Sequence, residues 1–152
     1  MGARHIDRGL ALPLVDVEAV RARHFKAVVD PVNSVGALVI PRLLERMGVE
    51  VICLNSTPDG NFAHNPEPIA ENLTQIMEAV RHHGADLGVV VDPHVDRLAF
   101  VRANGEIFGA EYTLVSVPDH ALAVHPGHTD SRLSSPRVPR HVAPGHGRPS
   151  AT

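Results

Sequence analysis

The sequence predicts an α/β fold, namely a three-layer α/β/α sandwich built on a four-stranded mixed sheet. Short apolar strand segments alternate with amphipathic helical segments. Of the 152 residues, 43% are hydrophobic and only 3% are aromatic, so the core must consist of Val, Leu, Ile and Ala. That composition is typical of buried parallel strands covered by helices. The expected order is β-α-β-α-β-β-α. Three strands should be parallel and the fourth antiparallel, because its connection is too short for a crossover.

The first half of the chain carries two of the predicted strands. After a lead-in, in which Asp16 can cap a short helix, the elements are a strand at residues 25–29, a helix from Asn33 or Ser34 to about Met47, and a strand at residues 49–54. Pro41 inside this helix removes a backbone donor, so we expect a kink or a late true start. Residues 55–65 are rich in Asn, Pro, Gly and Asp and predict a loop.

The second half begins with a helix whose first turn contains Pro68. One face of this helix is apolar and consists of Ile69, Leu73, Ile76, Met77 and Val80. Gly84 should end it. Residues 87–91 are nearly all apolar and predict a central strand. Residues 98–102 should return as the fourth strand, followed by a tight Asn104-Gly105 turn and a last helix at residues 111–124 that Pro118 disturbs.

Charge and cysteine content exclude several classes of protein. The formal net charge is −3, so no strong field favours nucleic acid or an anionic membrane. The single cysteine, Cys53, excludes an intrachain disulfide and Cys-rich metal sites, and its apolar surroundings predict a buried, inert thiol. No signal peptide or membrane-spanning run is visible. We therefore expect a soluble, cytoplasmic protein.

Composition also divides the chain into three parts. Residues 1–23 form the lead-in and residues 24–124 the α/β domain. From residue 125 to residue 152, Pro, Gly, Ser, Arg and His dominate. Such a segment buries too little apolar surface to offset its ordering entropy, so we expect a poorly ordered tail.

Several segments, in order, resemble the second domain of the α-D-phosphohexomutases, the family of phosphoglucomutases, phosphomannomutases and phosphoglucosamine mutases. The quoted residues are Val29-Asp30-Pro31-Val32-Asn33-Ser34-Val35-Gly36, Gly60-Asn61-Phe62-Ala63-His64-Asn65-Pro66-Glu67-Pro68, Val91-Asp92-Pro93-His94-Val95-Asp96-Arg97-Leu98-Ala99-Phe100, Asn104-Gly105-Glu106 and Glu111-Tyr112-Thr113-Leu114. The tail, at Arg132-Leu133-Ser134-Ser135-Pro136-Arg137, bears a fainter likeness to the start of the family's third domain. We interpret it as a truncated or decayed start of that domain.

The resemblance implies a metal loop. The family's Asp-x-Asp-x-Asp-Arg loop binds Mg²⁺, because three carboxylates at alternate positions converge on one hard cation. The matching residues here are Asp92 and Asp96, followed by Arg97, with His94 in the middle position. Imidazole suits Zn²⁺ or Ni²⁺ better than Mg²⁺, so we expect weakened Mg²⁺ binding. The alternative is a plain polar turn between two strands.

Other candidates are weaker. Ala63-His64-Asn65-Pro66 looks like the end of the family's catalytic Ser-His-Asn-Pro motif but has no nucleophile, so His64 is interpreted as a loop-packing residue. Asn33-Ser34-Val35-Gly36 could cradle a phosphate, although helix capping is the better interpretation. The adjacent His82 and His83 should diverge on a helix. His120, His125, His128, His141 and His146 lie in or near the tail.

The resemblance implies an enzyme that interconverts hexose 1- and 6-phosphates by Mg²⁺-dependent phosphoryl transfer. The chain contains no phosphoserine motif, no Gly-Glu-x-Ser-Gly-His sugar loop and no Arg-x-Ser-Gly-Thr phosphate loop. We therefore predict no catalytic residue and no activity for this chain alone, with hexose phosphate a partner only of a full-length enzyme. The alternatives are a non-catalytic metal-binding or interaction module with this fold, and an unrelated flavodoxin-like or nucleotide-binding domain.

Overall fold

The computed structural model describes residues 2–67 and 69–124, which form helices on a β-sheet. The elements are α1 (Gly2–Leu10), α2 (Val17–Arg23), β1 (Lys26–Asp30), α3 (Ile40–Arg46), β2 (Glu50–Cys53), α4 (Thr74–His83), β3 (Leu87–Val91), β4 (Leu98–Arg102), β5 (Ile107–Phe108) and α5 (Ala110–Val124). Pro68, predicted in the first turn of a helix, and residues 125–152, predicted as a poorly ordered tail, lie outside the described residues.

The sheet has five strands in the order β2-β1-β3-β4-β5. β1 is parallel to both β2 and β3, whereas β4 runs antiparallel to β3. The predicted three parallel strands, the antiparallel fourth strand and the central position of β3 are confirmed. The predicted count of four was wrong by one strand. β5 has only two residues and pairs antiparallel with β4, which is too short for an alternating pattern to reveal.

Both faces of the sheet are buried. On one face Val28, Val90 and Val101 pack against α4, whose Ile76 and Val80 have no exposed surface. On the other face the buried side chains include Val29, Val89 and Val91. Burial on both faces explains why β1 and β3 are nearly all apolar, and it gives the expected layered α/β architecture.

The helices begin later than the sequence pattern predicts. Ser34 caps a 3₁₀ turn over Val35–Leu38, and α3 starts only at Ile40, with Pro41 in its first turn. The expected late start is therefore confirmed. Similarly, a 3₁₀ turn over Ala70–Asn72 precedes α4, and Ile69 is 40% exposed rather than part of the buried face.

The predicted lead-in contains one helix more than expected. Asp16 caps α2 through the Ala19 N–H at 2.9 Å, as predicted. The preceding α1 was missed because its sequence is mostly polar and its buried apolar residue is Ile6. Asp7 of α1 forms an ion pair with Arg46 at the end of α3, which attaches α1 to the domain.

Cys53 is exposed, so the prediction of a buried thiol was wrong. It lies at the end of β2, an edge strand of the sheet, where apolar sequence does not guarantee cover. Partial desolvation of the thiol, with the negative charge of Glu45 nearby, raises the pKa of Cys53.

Within the described residues, no helix is long and apolar enough to cross a membrane.

Gly88 in β3 is required by close packing between the sheet and α4. A Cβ added at this position would lie 2.8 Å from the Val101 side chain and 2.9 Å from that of Val80. Neither neighbour is the far end of a flexible side chain, so the core would have to shift. The absence of a side chain here lets α4 approach the middle of the sheet.

We expect Gly88→Ala to lower the free energy of unfolding by about 1–3 kcal/mol through overpacking. Gly9→Ala is the matched control, because a Cβ at Gly9 in α1 meets no atom within 4 Å and Ala favours a helix. Urea denaturation of the two variants measures the difference. Equal midpoints would mean that the core accommodates the methyl group freely.

Candidate metal site

Two buried carboxylates lie at the same edge of the sheet. β1 ends at Asp30, and Asp92 directly follows β3. The two strands are parallel neighbours, with Asp30 paired to Val90, so their carboxyl ends meet at one edge. Asp30 is 1% exposed and Asp92 is 6% exposed. Buried carboxylates require hydrogen-bond donors. Each of these two residues accepts hydrogen bonds that hold a different loop in place.

Asp92 shapes the loop between β3 and β4. Its Oδ1 accepts the backbone N–H groups of Asp96 and Arg97, both at 3.1 Å. Its main-chain carbonyl accepts the Val95 N–H at 3.0 Å. Val95 has a φ of +59°, a left-handed conformation that is unusual for a β-branched residue. The hydrogen bonds to Asp92 therefore fix a tight turn that the side chain of Val95 alone would disfavour.

The sequence-predicted ligands come together in this loop. One ligand atom from each of Asp92, His94 and Asp96 can be chosen so that all three lie within 4.8 Å of one another. Asp92 Oδ2 lies 3.4 Å from His94 Nδ1, while Asp96 and His94 are exposed. Adjacent ligands of an octahedral cation lie about 3 Å apart. Small side-chain rotations would therefore let these two oxygens and one nitrogen reach a single divalent cation.

The ionisation of Asp92 suits this chemistry. Burial raises the pKa of the Asp92 carboxyl, but hydrogen bonds from the N–H groups of Arg97 and Asp96 and from His94 outweigh burial. The net effect is a pKa below the usual range. The carboxylate is therefore charged at neutral pH, as a metal ligand must be.

The metal loop forms one wall of an open cleft, and a segment that follows β2 forms the other. The residues that line the cleft are Phe62, Asn65, Pro66, Glu67, Asp92, Pro93, His94, Asp96 and Arg97. We call residues 61–67 the cleft segment. The sequence places its residues nearly thirty positions before the metal loop, and only the fold brings the two together.

His64 connects the cleft segment to the end of β1. Its Nε2 lies 3.0 Å from Asp30 Oδ2, and its Nδ1 lies 2.8 Å from the Asn65 carbonyl oxygen. The interpretation of His64 as a loop-packing residue agrees with these contacts. Asp30 and its other partner, Asn55, were not identified from the sequence. The feature of the sequence that could have identified Asp30 and Asn55 is their position at the carboxyl ends of two neighbouring strands.

The remaining candidates behave as structural residues. Ser34 Oγ accepts the Gly36 N–H at 3.3 Å, which agrees with capping. His82 and His83 were expected to diverge, yet their rings meet edge to face with centroids 4.8 Å apart. His120 contacts the Leu14 carbonyl oxygen. The other tail histidines lie outside the described residues, within which no further metal-ligating cluster is found.

Comparison with known proteins identifies the class of protein to which this chain belongs. The family described as phosphoglucomutase/phosphomannomutase, alpha/beta/alpha domain II, matches residues 3–105. This chain belongs to that family. The alternative of an unrelated flavodoxin-like or nucleotide-binding domain is therefore wrong.

Individual relatives agree with this assignment. A phosphoglucomutase/phosphomannomutase of Thermococcus kodakarensis is 43% identical over 114 residues, which is 74% of this chain and 25% of the relative. A probable phosphoglucosamine mutase of Methanopyrus kandleri is 41% identical over 114 residues, 74% of this chain and 24% of the relative. A crystal structure of a phosphoglucomutase/phosphomannomutase family protein from Burkholderia thailandensis matches with a TM-score of 0.64 at 30% identity, covering 73% of this chain and 26% of that one. The chain thus spans about a quarter of the length of these relatives.

We expect the ionisation of Asp92 to contribute to stability in a pH-dependent way. Its folded pKa is depressed, so the contribution is complete above the ordinary carboxyl pKa of about 4 and is lost as pH falls through the lower folded value. Asp92→Asn keeps an oxygen that can accept both N–H groups but removes the charge. Urea midpoints from pH 7 down to pH 3 should therefore fall more steeply for the native chain than for Asp92→Asn. Parallel pH profiles would contradict this account.

Proposed function

We propose that this chain carries the metal-binding part of a phosphohexomutase, whose intact form interconverts hexose 1-phosphate and hexose 6-phosphate by metal-dependent phosphoryl transfer. The observation that carries the proposal is the convergence of the Asp92, His94 and Asp96 ligand atoms in one cleft beside Arg97. Membership in the family supports it, as do the mutase names of the relatives.

The site offers two of the features that phosphoryl transfer needs from a protein. A divalent cation held there would neutralise charge on the transferring phosphoryl group. Arg97 lines the same cleft and forms no ion pair with another residue in the part of the chain that the structure describes. Its guanidinium is therefore free to bind phosphate oxygens, for which its planar fork is well suited.

We further propose that His94 shifts the preference of the site away from Mg²⁺. The loop presents carboxylate oxygens from Asp92 and Asp96 and an imidazole nitrogen between them. Mg²⁺ favours an all-oxygen shell, whereas Zn²⁺ and Ni²⁺ accept nitrogen readily. The loop also holds one negative charge fewer than a loop with three aspartates.

The chain alone should not turn over hexose phosphates. Its residues include neither a phosphoserine motif nor the family's sugar and phosphate loops, and the mechanism needs nucleophile, metal, sugar contacts and phosphate clamp together. A non-catalytic metal-binding module is the second candidate, favoured by the histidine in the metal loop. It predicts metal binding that does not depend on any mutase partner.

We expect no mutase activity from the purified 152-residue chain with glucose, mannose or glucosamine phosphates, Mg²⁺ or Mn²⁺, and a hexose bisphosphate activator. A coupled assay of product formation checks this. The matched control is the Asp92→Asn variant prepared in the same way, because any activity that survives this substitution comes from a contaminating enzyme. Turnover that Asp92→Asn abolishes would show that this chain holds a nucleophile.

We expect His94→Asp to tighten Mg²⁺ binding by about 10-fold or more and to weaken Ni²⁺ binding, because it restores an oxygen ligand and a charge. Isothermal titration calorimetry with each metal measures both changes. His83→Asp is a matched control that adds the same charge on the exposed end of α4. Equal Mg²⁺ affinity in the native chain and His94→Asp would exclude His94 as the residue that sets metal preference.

A further inference from the structure

The Asp30 carboxylate is a buried charged group that the metal loop does not use. Its Oδ1 accepts the Val32 N–H at 3.0 Å. Its Oδ2 accepts from Asn55 Nδ2 and faces His64 Nε2, both at 3.0 Å. The Asp30 side chain is 1% exposed and that of His64 18% exposed. A carboxylate so enclosed depends on these partners, since an unpaired buried charge is strongly destabilising.

His64 joins this buried carboxylate to the wall of the cleft. Its second ring nitrogen lies 2.8 Å from the carbonyl oxygen of Asn65, and Asn65 lines the cleft. Both partners of the ring are hydrogen-bond acceptors, so a ring nitrogen that carries a hydrogen can donate to the partner it faces. The ring thus lies between the buried Asp30 carboxylate and the backbone of Asn65.

The cleft segment has few apolar contacts to hold it otherwise. Phe62 is 47% exposed, and Ile69 beyond the segment is 40% exposed. Polar contacts attach its start instead, because Asn33 Nδ2 donates to the Asn61 carbonyl at 2.8 Å. Segments with little apolar burial open easily. Hydrogen bonds, among them those of His64 and Asn33, are therefore the main restraints on this wall.

The segment also positions its own polar groups toward the cleft. The Glu67 N–H donates to Asn65 Oδ1 at 3.2 Å, and the Glu67 carbonyl accepts from Asn72 Nδ2 at 2.9 Å. Asn65 is thus fixed by its carbonyl to His64 and by its side chain to Glu67. Displacing His64 would free the Asn65 carbonyl and loosen the contact between Asn65 and Glu67, while the Glu67 carbonyl keeps its hydrogen bond from Asn72.

We propose that Asp30 and His64 are positioning residues that hold the cleft segment opposite the metal loop, so that the cleft has its shape before a metal-bound phosphate ester enters. This proposal rests on the proposed metal site, because the cleft's other wall is the loop of Asp92 and Asp96. His64 is not among the residues that line the cleft. Its role is to hold Asn65, which does line the cleft, in place opposite the metal loop.

Backbone ¹⁵N relaxation of the metal-free, full 152-residue chain tests the restraint directly. In the native chain the amides of residues 61–65 and 67 should have order parameters near those of rigid backbone, about 0.85, whereas Pro66 has no N–H to observe. In His64→Ala they should fall below about 0.6, while the amides of β1 and β3 stay unchanged. His64→Gln keeps an N–H donor for Asp30 and should be intermediate. His5→Ala, an exposed histidine on α1, is the matched control.

Mn²⁺ as a paramagnetic probe tests the distance between the two walls. In the native chain, Mn²⁺ should broaden the amide signals of Asn65 and Glu67 as well as those of Asp96 and Arg97. In His64→Ala the broadening at Asn65 and Glu67 should decrease at least several-fold, while that at Asp96 and Arg97 persists. A merely structural role for His64 would reduce both sets alike or neither.

The outcomes separate the two proposals. If Mn²⁺ broadens no amide near Asp96 in the native chain, the metal site fails, and the relaxation measurement still decides whether His64 holds the cleft segment. If His64→Ala does not fold, His64→Gln provides the decision. Order parameters in residues 61–67 that match the native chain in both His64 variants would overturn the positioning role.

Discussion

The parallel pairing of β1 with β3 is the constraint on which the site depends. It places Asp30 opposite Val90, so that Asp30 and Asp92 emerge at one edge of a sheet buried on both faces. Neither carboxylate can be solvated fully there, and burying a charge without partners costs several kcal/mol. Asp92 therefore accepts hydrogen bonds from the turn after β3, and Asp30 from the loop after β2, and these two segments form the two walls of the cleft.

The two carboxylates meet this constraint in different ways. Asp92 is satisfied mainly by backbone N–H groups of its own turn, which keeps its charge and leaves Oδ2 facing His94. Asp30 is satisfied across the chain by Asn55 and His64, which tie a loop after β2 to the end of β1. Local hydrogen bonds thus position the candidate metal ligands, and long-range hydrogen bonds position the opposite wall of the cleft. Val32, just after β1, and Val95, in the turn after β3, both have left-handed backbone conformations. Hydrogen bonds to Asp30 and Asp92 hold these residues in conformations that β-branched side chains disfavour.

His94 in the metal loop bears differently on the backbone of the loop and on its proposed metal preference. The hydrogen bonds that close the turn at Asp92 come from the backbone N–H groups of Asp96 and Arg97, so these bonds do not involve the side chain at position 94. The proposed metal preference, in contrast, depends directly on that side chain. Family membership accounts for the fold, whereas the proposed preference rests on the imidazole that this sequence has at position 94.

The sequence by itself determined the α/β class and the parallel strands, because hydrophobic periodicity and connection length are local properties, and it left a kink or a late helix start as the two effects expected of Pro41. The metal-loop residues came from the resemblance to the family, and their role as ligands stays a prediction. The sequence did not determine α1, the two-residue β5 or the exposure of Cys53, since these depend on what packs against each segment. Nor did it show that Asp30 and His64, thirty-four positions apart, form one buried pair. Only the tertiary structure decided that contact, because it requires the parallel sheet to bring the end of β1 beneath the loop that follows β2.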